Sequence, residues 1–164
     1  MPERPASATT RLPVPAERAW DLVTDVRNHA RWIPSTRVDA RHPLRVGDTF
    51  SAATGPGGAL HRLSLVDSMT VTATTPPTTS PPRPGRATYR KLGPVLLGGA
   101  EILVEPLGPD ECAVTWVEDI HLRGLPRWAV TWASRPLATA MVRSALRKVR
   151  AEVVAVHDAR RRRP

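Results

Sequence analysis

Between Ser134 and Asp158 apolar residues return every three or four positions, as Val142, Leu146, Val149, Val153 and Val156. That period lays one stripe along a helix, with Arg143, Arg147 and Arg150 on the other side. Pro136 suits a first helical turn, and a helix from Arg135 to Val156 spans about 33 Å at 1.5 Å per residue. A stripe of that length needs a cover, and the rest of the chain supplies candidates with the other period, two. Val66 to Thr75 sets Asp67, Met69, Val71 and Ala73 against Val66, Ser68, Thr70, Thr72 and Thr74. Cys112 to Leu122 sets Val114, Trp116, Glu118 and Ile120 against Thr115, Val117, Asp119 and His121. Both read as strands.

Further strands are expected at Ser7 to Val14, Ser35 to Arg41, Asp48 to Ala53, Arg86 to Lys91 and Gly99 to Leu107. After the first, Pro15 opens a short helix with Ala19, Trp20 and Val23 on one face, and a second helical turn covers Val26 to Trp32 until Pro34 stops it. Gly108–Pro109–Asp110–Glu111 turns the last hairpin. The five prolines between Pro76 and Pro84 suit an exposed, extended connection. Arg127 to Ala133 is a short helical lead, with a bend expected at Pro136. The order is one strand, two short helices, about six antiparallel strands and one long helix. It indicates an α+β fold in which a curved sheet of six or seven strands wraps around the terminal helix.

Composition narrows the function. One domain, residues 1–158, is the natural count for 164 residues, with a basic tail at 159–164 expected to be disordered. Residues 141–164 carry +6 of the net +9 charge, and Arg160 to Arg163 supply four of those charges. No zinc knuckle, RNA-binding aromatic motif or recognition helix accompanies the tail, so the charge reads as solubility, with weak attraction to nucleic acid or anionic lipid as the alternative. The lone cysteine, Cys112, excludes an internal disulfide, agrees with a reducing cytoplasm, and sits in a strand pattern as a small buried hydrophobe. The start lacks a secretory signal, and the best apolar window, Leu92 to Leu107, is broken by Glu101 and Glu105. Gly55–Pro56–Gly57–Gly58 lacks the Lys and following helix of a phosphate loop. The five histidines never pair at ligand spacing, and no nucleophile elbow surrounds any serine, so neither a metal nor a cofactor is expected.

The segments Leu12–Pro34 (LPVPAERAWDLVTDVRNHARWIP) and Gly99–Ile120 (GAEILVEPLGPDECAVTWVEDI), with the closing helix, resemble the START-related, Bet v 1-like superfamily (SRPBCC). The similarity is to its polyketide cyclase/dehydrase and lipid-transport-like branch. The resemblance implies a helix-grip fold with a deep, mostly apolar cavity between sheet and helix, taking lipids, polyketides or other hydrophobic molecules. Some members of that family catalyse cyclisation or dehydration.

The strand face bearing Val114, Trp116 and Ile120 is assigned to the interior, which carries Glu118 to the cavity as a general acid or a hydrogen-bond anchor. Reversed parity would substitute Asp119 and His121. Trp32 is expected at the cavity mouth, and Tyr89 to offer a hydroxyl to a ligand, as an acid–base partner of Glu118 if the protein is an enzyme. Met69, Trp116, Trp132, Met141 and Ala145 complete the expected lining, and Trp20 is core. Three functions stay open: carriage of a hydrophobic small molecule, a cyclase, aromatase or dehydratase activity, and a protein- or RNA-interaction module using the tail.

Overall fold

The computed structural model describes residues 5–55, 64–93, 95–124 and 127–161, the last segment by its backbone alone at 127–134, 160 and 161. The chain runs β1 (Ala6–Leu12), α1 (Ala16–Thr24), a single 3-10 turn (Val26–Asn28), α2 (His29–Trp32), β2 (Thr36–Asp39), β3 (Thr49–Thr54) and β4 (Leu65–Thr75). It continues through β5 (Thr78–Thr79), β6 (Pro82–Arg83), β7 (Gly85–Gly93), β8 (Leu96–Gly108), β9 (Glu111–Leu122) and α3 (Arg127–Arg161). Seven strands form one antiparallel sheet in the order β1-β9-β8-β7-β4-β3-β2, curled into a half-barrel about the terminal helix. The α+β architecture indicated by the order of elements, and the helix grip implied by the resemblance, are therefore what the chain adopts.

Curvature has local causes. Register shifts in the β4–β7 pair fall between Ser68 and Met69 and between Val71 and Ala73, and such irregularities bend and twist a strand. Gly98 of β8 sits at φ +118°, where a Cβ would lie 2.1 Å from the carbonyl oxygen of Asp119, so only glycine fits.

Helix α3 packs over β1 and β9 and touches α2. Its Val142, Leu146, Val149 and Val153 are buried in one core with Leu12, Val104, Cys112 and Val114. The stripe ends one turn earlier than its period implied: Val156 is 40% exposed, because the core it would join stops at Val153. The helix is one element through Pro136, without a separate lead before it. A proline inside a long helix forfeits one backbone hydrogen bond, which does not end the element. At its other end it runs to Arg161, into the stretch assigned to the tail, while 162–164 lie outside the described residues. The proline-rich connection is exposed as expected except at the buried Pro77, and it is folded back on itself: β5 pairs with β6, and Glu17 of α1 accepts hydrogen bonds from Thr79 N and Oγ1, each 2.7 Å.

Because α3 covers the β1–β9 side of the concave face, the side built by β2, β3 and β4 is not filled by it and meets only the short α2 and the end of α3. That asymmetry positions the site.

Candidate functional site

The uncovered half of the concavity is a cavity of about 350 Å³. Phe50 and Ala52 of β3, Leu65 and Met69 of β4, Leu96 of β8, and Trp116 and Ile120 of β9 line it. Leu137, Ala138 and Met141 of α3, with Val26 and Ile33 beside α2, complete an almost wholly apolar wall. The volume falls in the range of small-molecule sites. Leu137 is 74% exposed and Leu65 46%, so the cavity has an apolar rim open to solvent.

One patch of the wall is charged. Glu118 and Lys91 are each only 5% exposed, and Asp67 lies beside them. Their meeting follows from register. Lys91 of β7 pairs with Gly98 of β8, and Ala100 of β8 pairs with Glu118 of β9. The middle strand thus offers only a glycine and an alanine on the concave face, and the long Lys91 side chain crosses over it to reach Glu118 two strands away. On its other side Lys91 pairs with Met69, which brings the ammonium onto Asp67. Lys91 Nζ donates to Asp67 Oδ2, approaches Met69 Sδ at 3.8 Å, and lies 3.3 Å from Glu118 Oε2.

Trp116 Nε1 donates to Glu118 Oε1 at 3.0 Å. Oε2 of Glu118 is an ion-pair neighbour of Lys91 but accepts no hydrogen bond, and neither does the buried Oδ1 of Asp67. The cluster therefore holds two carboxylates, one ammonium and two idle acceptor oxygens at an apolar cavity. Burial pushes the Glu118 carboxyl above its ordinary value, with Lys91 and the Trp116 N–H pulling the other way. Burial also works against the Lys91 ammonium, but the carboxylates of Glu118 and Asp67 outweigh it, and its pKa is raised. Lys91 is thus the fixed cation, and Glu118 a carboxyl whose protonated form burial favours.

His29 closes this corner. Its ring packs against Trp116 with centroids 4.7 Å apart, and Nε2 donates to the Val23 carbonyl at 3.0 Å. Burial lowers its pKa and keeps the imidazole neutral.

Of the residues singled out from sequence, Met69, Trp116, Glu118 and Met141 lie on the cavity wall. The parity of β9 points Glu118 inward and leaves Asp119 exposed, and His121 is off the lining. Trp32, Tyr89 and Ala145 are buried but do not line the cavity. Trp32 is turned toward α3, where its Nε1 donates to Glu152 Oε2 at 3.0 Å. Tyr89 packs edge-on against Phe50, ring centroids 5.7 Å apart, and burial pushes its hydroxyl up to about 12. Ala145 sits one turn past Met141, where α3 is already against the sheet. The Trp132 side chain lies outside the described residues. Cys112 is fully buried in the core, its thiol raised to about 11 by burial.

Lys91, Asp67 and His29 were not singled out from sequence. A signal existed for two of them: Lys91 continues the buried alternation Ala87, Tyr89, and Asp67 that of Met69 and Val71. Among the described residues no group of three or more His, Cys, Asp or Glu could hold a metal ion, and no helix is long and apolar enough to cross a membrane.

The fold is shared widely. Solved structures similar to this chain include a START superfamily protein from Mycobacterium smegmatis, 15% identical with a TM-score of 0.66 over 94% of this chain and 99% of that one. Another is a hypothetical protein from Helicobacter pylori, at 13% identity and TM-score 0.68 over 90% and 86%. A third is the di-domain ARO/CYC BexL of the BE-7585A biosynthetic pathway, at 18% identity and TM-score 0.59 over 93% of this chain and 48% of that one. No protein with a curated description matches in sequence. At these identities the likeness speaks for the fold alone. The sequence itself goes further: residues 5–154 match the family model described as polyketide cyclase / dehydrase and lipid transport, and the chain belongs to that family.

Proposed function

We propose that the protein binds one hydrophobic small molecule in the cavity beside the first half of α3. The observation that carries this reading is an apolar space of about 350 Å³ with a single charged patch. The apolar body of the ligand would be held by burial at about 25 cal/mol per Å² removed from water, and the Asp67–Lys91–Glu118 cluster would set its orientation. A cytoplasmic setting belongs to this reading and rests on the single cysteine.

Native mass spectrometry of the purified protein should show a small-molecule adduct, or take one up from a mixture of apolar compounds. Ala52→Phe, which adds a ring to the cavity wall, should remove that binding while the cooperative unfolding transition is kept. A protein that takes up nothing, or an Ala52→Phe variant that binds undiminished, would remove this reading.

Glu118 favours a second reading. A buried carboxyl with a raised pKa, facing a cavity, is suited to general-acid chemistry, which fits a cyclase or dehydratase of the kind named in the family description. Tyr89 lies off the cavity wall, so this reading rests on Glu118. If Glu118→Gln left turnover of an identified substrate intact, the enzymatic reading would be dropped.

A further inference from the structure

The charged patch carries information about the ligand's head, beyond the cavity's preference for an apolar body. Its one ammonium is committed: Lys91 Nζ bonds Asp67 Oδ2, neighbours Glu118 Oε2 and rests against Met69 Sδ. Its acceptors are in surplus. Glu118 Oε2 and Asp67 Oδ1 are buried and accept no hydrogen bond, and Glu118 is 95% enclosed on the cavity wall. Leaving buried acceptors unmet is costly, and a charged donor satisfies them best. With Glu118 ionised, two carboxylates against one ammonium also leave one negative charge over, and a bound cation would balance it and favour that form.

We propose that the cavity selects apolar molecules bearing a protonated amine, seated between Glu118 Oε2 and Asp67 Oδ1. The bound state then has two cations facing two carboxylates, with each idle oxygen given a donor. A neutral hydroxyl meets one oxygen and leaves the charge uncompensated. A carboxylate or phosphate head would add a further anion to a patch that already has too many. This inference rests on the small-molecule reading above and deepens it, since it names the head group that the same cavity takes.

Three probes with one tail separate the possibilities: octylamine, octanol and octanoate, titrated calorimetrically into the whole protein at neutral pH. The amine should bind at least about tenfold tighter than the alcohol, the gain that a charge-assisted hydrogen bond confers, and octanoate should bind weakest. In Glu118→Gln, which keeps an acceptor for Trp116 Nε1, the amine should lose far more affinity than the alcohol, so that its advantage vanishes. Asp67→Asn should reduce the same advantage and serves as the second variant should Glu118→Gln not fold. Equal affinities for the three probes, or tightest binding of octanol or octanoate, would overturn the amine preference and leave the small-molecule reading standing. Binding of none of them, with no adduct in native mass spectrometry, would overturn that parent reading and this inference with it.

Discussion

Removing the ammonium of Lys91 would strand two carboxylates at the cavity wall, so Lys91→Met is expected to cost far more than its lost packing. Breaking a buried ion pair by deleting one partner costs about 3–5 kcal/mol, and urea unfolding at neutral pH should show a loss of that order. The loss should shrink as the solution is acidified. Without Lys91, burial and Asp67 hold the Glu118 carboxyl still further above 4.5, its ordinary value. The folded chain then binds a proton that the unfolded chain has released, so stability falls as pH rises and returns as it drops. His29, packed on the same corner, has its pKa lowered by burial and so weakens the fold on acidification, but it does so in both proteins, and the difference between Lys91→Met and the unaltered chain isolates Glu118. A Lys91→Met protein equally unstable at all pH values would contradict this charge account. Tyr89 offers a cleaner titration, since it is the one tyrosine in the chain. Its ultraviolet tyrosinate band should appear with a midpoint near the value of about 12 rather than near 10.0. By the same sign rule, the stability held below pH 10.0 is lost as pH rises toward 12, and Tyr89→Phe should retain stability in that window. A midpoint close to 10.0 would mean that the ring is less enclosed than its packing against Phe50 implies.

Between elements, the short helix α2 matters because it closes the wall that holds His29 and Ile33, and it is pinned to α3 by few bonds. Glu152 accepts from Trp32 Nε1 at 3.0 Å and from Arg31 at 2.7 Å, and Lys148 Nζ donates to the Trp32 carbonyl at 3.0 Å. The Arg31 pair is half exposed and adds little. The indole N–H is the bond that counts, because Trp32 is buried. Glu152→Ala should therefore cost about 1–2 kcal/mol in urea unfolding, the penalty for a buried donor left without an acceptor. Glu152→Gln, which keeps an acceptor, should cost less. Equal losses for the two would assign the role to the charge instead. Two periods in the sequence were enough to place most elements: the three-to-four step of α3, and the alternation of β4 and β9. Their ends were harder to read. Val156 fits the stripe in sequence, but whether it is covered depends on where the sheet stops, and Pro136 looks like a start although the helix forms on both sides of it.

At the scale of the whole molecule, alternation tells which face a side chain is on, not which faces α3 covers. Glu118, Met69 and Tyr89 all point to the concave side, yet Tyr89 ends against Phe50 while the others reach the cavity. Lys91 and Asp67 stood in the sequence as charges on apolar faces. Their union with Glu118 needed the β7–β8–β9 register and the small residues at Gly98 and Ala100. Register is a long-range property, which no local pattern encodes. The pairing of β1 with β9 carries a last consequence, for the order in which the molecule is assembled. Ala6 is partnered with Glu118 and Leu12 with Cys112, so β1 stays unmatched until β9 has emerged. Contacts closing so long a stretch of chain are slow to form, and the floor beneath Glu118 is the latest part of the sheet to be completed. A growing chain can build its other hairpins early, but the concave face is completed only when β9 slots between β8 and β1 and α3 comes down over them.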